Sequence, residues 1–122
     1  MTAGFTPQQR ADALARNNGV CEICGEARST DVHHRQPRGM GGAHGARAGF
    51  VNRLSNALAL CHTCHNMVER DRTAATRNGW LVRRGEDPAQ VPAMLNTWLG
   101  MCPTWLDDDA CYSMNPPEGI TP

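Results

Sequence analysis

Two Cys-x-x-Cys turns, Cys21–Cys24 and Cys61–Cys64, constrain this chain more than any other feature of its sequence. Such a turn sets two thiolates at a spacing that suits one tetrahedral zinc ion, and two turns complete a four-ligand shell. The 36 residues between the pairs (25–60) must therefore leave one point and return to it. A shell filled by four thiolates keeps no position for substrate, so the expected ion is structural and its binding contributes to folding. His62 and His65, inside and beside the second turn, are alternative donors for one of the four. Cys102 and Cys111 have no partner at ligand spacing and read as ordinary small side chains.

A staple fits the rest of the composition. At 122 residues the chain suits one domain, and its two Phe, one Tyr and three Trp promise only a modest core. No apolar run reaches the roughly 18 residues of a membrane span. The start, Met1-Thr2-Ala3-Gly4-Phe5-Thr6-Pro7, lacks the basic and apolar segments of a signal peptide. The expectation is a cytoplasmic protein with no membrane partner, where six cysteines point to metal ligands or free thiols rather than disulfides.

The formal net charge of zero conceals a division. All twelve basic residues are arginines between Arg10 and Arg84; with six acids in that stretch, residues 1–84 carry +6. Residues 85–122 hold the other six acids and no base, hence −6. A basic body with an acidic tail is compatible with a surface that faces phosphate.

Local patterns predict a mixture of helices and short strands, an α+β chain. Thr6-Pro7-Gln8-Gln9 is a capping box with proline in the first turn, opening a helix to about Asn17, with Gly19 beyond its end. Asp31–Arg35 and Ala57–Leu60 suit strands, and the Gly- and Arg-rich stretch from Pro37 to Ser55 suits a long loop. His62 to about Arg77 reads as one helix closed by Asn78-Gly79, Trp80–Arg83 as a further strand, and Asp107–Asp109 as a turn between strands.

Polar groups gather around the cysteine frame. His33 and His34 are adjacent on a strand, so they point to opposite faces. Asn56 precedes the second strand, and His65 and Glu69, four apart, share a helix face. His33-His34, Asn56 and His65, framed by the two Cys pairs, resemble the motif of HNH endonucleases. The segments Arg35–Gly42 and Gly79–Gly85, with Asp87-Pro88-Ala89, further resemble small HNH proteins encoded by phages of GC-rich bacteria. The likeness covers about residues 19–92, with a weaker echo to Asp107–Asp109.

That resemblance implies a ββα-metal core over about residues 19–84, stapled by Cys21, Cys24, Cys61 and Cys64. An N-terminal helix and an acidic C-terminal strand and loop extension, 85–122, would complete a single domain over 1–122. It implies a metal-dependent endonuclease hydrolysing DNA phosphodiester bonds: His34 the general base, Asn56 the residue that holds the hairpin loop, His33 and His65 ligands of a catalytic divalent metal. Glu69 stands where related enzymes often carry a histidine; it would ligate the metal through oxygen or pair with Arg72. Zn²⁺ is the implied structural ion and Mg²⁺ or Mn²⁺ the implied catalytic one, with Ni²⁺ or Co²⁺ also suited to histidine donors. DNA is the implied partner, together with phage packaging proteins such as terminase. Arg35, Arg38, Arg47 and Arg53 flank the site and are expected to contact DNA phosphates. The alternative is a non-catalytic zinc module that binds DNA or protein, which would need the cysteines but neither His34 nor His65.

Overall fold

The computed structural model describes residues 4–37 and 46–117. Helix α1 (Pro7–Arg16) starts as its sequence predicts: the Thr6 side chain accepts from the Gln9 amide, and the Gln9 side-chain oxygen accepts from the Thr6 amide. The chain then turns through the Cys21–Cys24 knuckle and enters β1 (Asp31–His34), which pairs antiparallel with β2 (Ala57–Leu60). Between them lie a short helix α2 (Ala46–Val51) and a 3-10 turn over Leu54–Asn56. Helices α3 (His62–Arg70) and α4 (Arg72–Arg77) follow, and a three-stranded antiparallel sheet of β3 (Ala93–Thr97), β4 (Gly100–Leu106) and β5 (Tyr112–Ser113) ends the described chain. No helix among the described residues is long and apolar enough to cross a membrane.

Three sequence expectations are corrected. The long loop contains α2 and the 3-10 turn, because Phe50, Val51 and Leu54 give it an apolar side that its glycines mask; Val51 and Leu54 are buried. The single helix 62–77 is two helices. Asp71 leaves helical geometry (φ −127°, ψ 83°), and its carboxylate accepts from the Ala74 amide, starting α4 afresh. Trp80–Arg83 forms no strand: the Trp80 and Leu81 amides both donate back to the Ala75 carbonyl, and the Val82 amide donates to the Arg35 carbonyl just beyond β1.

The apolar core joins both halves of the sequence. Leu58 and Leu60 of β2, Val68 of α3, Ala75 of α4, Leu95 of β3 and Leu106 of β4 pack with Cys21, Cys61 and Cys64 in one cluster. A smaller cluster of Ala13, Leu54 and Ala57 seats α1, with Phe5 and Val32 against it. The knuckle is held between the sheets, since the Glu22 amide donates to Ala59 of β2 and the Glu22 carbonyl accepts from Asn96 of β3. Gly79 turns with φ +75°, and a Cβ there would lie 1.9 Å from the Pro92 carbonyl oxygen, so this close approach requires glycine.

Two buried cations organise the interior. Arg16 forms a two-pronged pair with the Glu22 carboxylate (2.8 and 2.9 Å) and also donates to the Leu54 and Ala57 carbonyls. Tyr112 of β5 donates its hydroxyl to the same carboxylate, and the Ala59 amide donates there too. Burial disfavours the Arg16 charge, but Glu22 more than offsets this and holds the guanidinium above its ordinary range.

Arg35 is 0% exposed and donates to four carbonyls, those of Gly79, Ser55, Pro88 and Val91, at 2.6–2.9 Å. Burial, with Arg16 adding and Glu22 opposing, pulls it down to about 9. The expectation that Arg35 contacts DNA is therefore corrected: its donors are engaged inside the protein, where no phosphate reaches. Arg53 is also drawn inward, pairing with Asp87 (3.0 Å) and Asp108 (2.8 Å), so its charge is balanced by the acidic segment. Arg38 lies outside the described residues. Arg47 falls within α2.

Candidate metal centre and catalytic cleft

The two Cys turns meet. Cys21, Cys24, Cys61 and Cys64 present their sulfurs within 4.8 Å of one another. The second turn doubles as the start of α3: Cys61 is its N-cap, and the Cys61 sulfur accepts from the Cys64 amide at 3.4 Å. Burial pushes the Cys21 and Cys64 thiols up, and for Cys64 the neighbouring thiols add to the effect. Burial would raise Cys24 too, but the Ala27 and Glu26 amides bond its thiolate and bring it down to about 7. Four converging soft donors that disfavour one another as anions fit a dication, and the thiolate set fits zinc.

A second cluster lies between β1 and α3. His33, His65 and Glu69 bring ligand atoms within 4.8 Å of one another. The pleat of β1 turns His33 towards α3, and the i, i+4 spacing on α3 aims His65 and Glu69 back at it. Neighbouring groups set the tautomers. His33 Nε2 lies 3.0 Å from the Trp80 carbonyl oxygen, an acceptor only, so Nε2 carries the proton and Nδ1 is the ligand atom. Glu69 Oε1 sits 4.0 Å from that Nδ1, while its other oxygen accepts from Arg72 at 2.8 Å. His65 Nδ1 bonds the Asp31 carboxylate at 2.9 Å, leaving Nε2 for a metal. Two imidazoles and a carboxylate suit Mn²⁺, Co²⁺, Ni²⁺ or Zn²⁺ at least as well as Mg²⁺.

His33 is 4% exposed, and burial, together with the cationic forms of His65, His34 and Arg35, holds it down to about 4 against the pull of the Trp80 carbonyl. It is neutral at pH 7, as a ligand must be. An unfolded histidine titrates near 6.5, so between pH 6.5 and 4 the unfolded chain binds a proton that the folded chain does not. Stability from this group is complete above pH 6.5 and declines as pH falls through that window. By pH 5 the loss amounts to about 2 kcal/mol. Denaturant midpoints at pH 7.5 and 5 for zinc-loaded wild type and His33→Gln will differ in slope by that amount; identical pH dependence would refute it.

His34 is held by different partners from those of its neighbour. Its ring stacks on Phe5 (centroids 4.0 Å apart, planes 13° off parallel), and Nε2 lies 2.8 Å from the Asn52 side-chain oxygen. A proton on Nε2 makes Nδ1 the basic nitrogen of the neutral ring. Asn56 is fully buried and holds the two ends of the β1–β2 connection together: its oxygen accepts from the Gln36 amide, and its nitrogen donates to the Gln36 and Val51 carbonyls. One open cleft is lined by Val32, His33, His34, Pro37, His65, Glu69 and Arg72. His62 is exposed, 3.4 Å from Asp31, and takes no part in either cluster.

Asp31, Asn52, Phe5 and the Trp80 carbonyl all shape this cleft, and none was singled out from sequence. Asp31 had a usable signal, since i, i+2 alternation on β1 places it on the His33 face. The others are brought in by loop closure or by the chain's first turn. Compared with protein-family models, curated proteins and solved structures, the chain matches none.

Proposed function

We propose that this chain is a metal-dependent endonuclease that hydrolyses DNA phosphodiester bonds, with the ββα arrangement of β1, β2 and α3 as its HNH-like core. One observation carries the proposal: a two-histidine, one-carboxylate donor set and a separately oriented histidine, on adjacent residues of one strand, open into the same arginine-edged cleft. A structural zinc on the four cysteines would fix α3, and with it His65 and Glu69, against β1.

A divalent ion held by His33, His65 and Glu69 would supply Lewis-acid polarisation of the phosphate and stabilisation of the leaving oxygen. The chain's own part is acid–base and positional. His34 in its neutral form would accept a proton from water at Nδ1 while Asn52 holds Nε2 and Phe5 fixes the ring plane. Asn56 keeps the connection that carries Asn52 closed against β1. Arg72, braced by Glu69, lines the cleft where it can meet phosphate oxygen.

The test is relaxation or linearisation of supercoiled plasmid with Mg²⁺, Mn²⁺, Co²⁺ or Ni²⁺ added to zinc-loaded protein. His34→Ala is expected to lower the rate about 10²- to 10⁴-fold, the usual contribution of a general base. Asn52→Ala is expected to lower it about 10- to 100-fold, as outer partners of functional histidines do. A folded, zinc-loaded wild type that binds DNA and cuts with none of these metals would replace the nuclease with a non-catalytic zinc module.

A further inference from the structure

The fold engages some of its arginines internally and leaves others exposed, Arg10 and Arg28 apart from a group near α4. Arg16, Arg35 and Arg53 are held by carbonyls or carboxylates within the protein. Arg70, Arg77, Arg83 and Arg84 are exposed and enter no ion pair among the described residues. All four lie in the stretch formed by the end of α3, α4 and the irregular chain after it.

They are not merely scattered there. Arg72, Thr73, Thr76 and Arg77 of α4 and Arg83 line an open trough with no carboxylate among its lining residues. Asp71, next to it in sequence, directs its carboxylate to the Ala74 amide as the cap of α4. Glu69 is committed to Arg72. Beyond the break at Asp71, Arg72 and Arg77 of α4 line the trough together with Arg83.

Arg72 lines both this trough and the cleft of His33, His34, His65 and Glu69. The two concavities thus adjoin at Arg72. We propose that the trough of Arg72, Arg77 and Arg83 is a binding track for the phosphodiester backbone of the DNA strand whose scissile phosphate occupies the adjoining cleft. The proposal rests on the nuclease reading for what lies in the cleft, but the trough's own affinity is independent of catalysis. Three guanidinium groups along its lining match a run of successive phosphates, and an open trough admits a polymer passing through it. Nothing in it reads bases, so binding is insensitive to sequence and steep in salt.

The test is fluorescence anisotropy of a labelled mixed-sequence DNA duplex, and of the corresponding single strand, with zinc-loaded full-length protein and no other divalent ion. Arg77→Ala/Arg83→Ala is expected to weaken binding at least about tenfold and to lower the log–log salt slope by about 2 for duplex. Arg77→Lys/Arg83→Lys keeps the charges and most of the affinity, while Arg28→Ala, an exposed arginine elsewhere, is neutral. Equal affinity and slope for wild type and the alanine pair, both folded by circular dichroism, would overturn the track even if wild type cuts DNA. So would the absence of any DNA binding by wild type. Salt-steep binding lost in the alanine pair, with no cleavage under any metal, would retain the track and discard the nuclease.

Discussion

Removal of the metal from the four-cysteine cluster is expected to unfold the chain, not merely to loosen it. Cys21, Cys61 and Cys64 are members of the main apolar cluster, alongside Leu58, Leu60, Leu95 and Leu106. Without a cation, four thiols packed within 4.8 Å occupy the position where α3, β2 and the knuckle converge. Structural zinc sites in small domains contribute about 10 kcal/mol or more at neutral pH, comparable to the whole stability of a domain this size. Cys61→Ser or Cys64→Ser should therefore give a chain with collapsed helical signal and a broadened or absent thermal transition. Zinc stoichiometry should fall from one per chain to near zero. A metal-free protein with an intact cooperative transition would show that the cysteines are core residues only.

Replacement of Arg35 should have the next largest effect. Its guanidinium ties four carbonyls from three parts of the chain, near residues 55, 79 and 88–91. Arg35→Met removes a buried charge, which is favourable, but leaves those acceptors without a donor at about 1–3 kcal/mol each. The balance is a destabilisation of about 3–5 kcal/mol, comparable to breaking a buried ion pair. Arg35→Lys keeps the charge but replaces a planar fork with a single ammonium that cannot reach four divergent oxygens, so it recovers only part. Urea denaturation of the zinc-loaded variants measures both; a loss below about 1 kcal/mol for the methionine variant would mean that water or backbone shifts satisfy the carbonyls.

Arg35 also shows where the sequence could not be read. An arginine after two histidines carries no mark of burial, and its four partners lie 20–56 residues away. What was legible was local or repeated. The Thr6–Gln9 capping box is complete within four residues, and the paired Cys turns declare their own meeting point. The strands flanking them follow from that frame. The divided helix was missed because Arg72-Thr73-Ala74-Ala75 continues a helical pattern smoothly. The only sign was Asp71 three residues before Ala74, a cap hidden inside a run of helix-compatible residues. Of the cleft, the ligand candidates were visible because i, i+4 spacing is a geometric statement. Asn52 was not, because its contact with His34 exists only once the 18-residue separation between them is closed.

The carboxylate of Glu22 has a bearing on how the molecule is made. It receives Arg16 from six residues before it and the Tyr112 hydroxyl from 90 residues after it. During vectorial synthesis the first helix and the knuckle emerge early, yet the last donor to their shared anion arrives near the end of the described chain. Until then the Glu22 carboxylate has Arg16 and the Ala59 amide but lacks the Tyr112 hydroxyl. The full set of donors around this carboxylate is thus complete only when both ends of the described chain are in place, which makes β5 a closing piece of the knuckle's packing rather than an appendage.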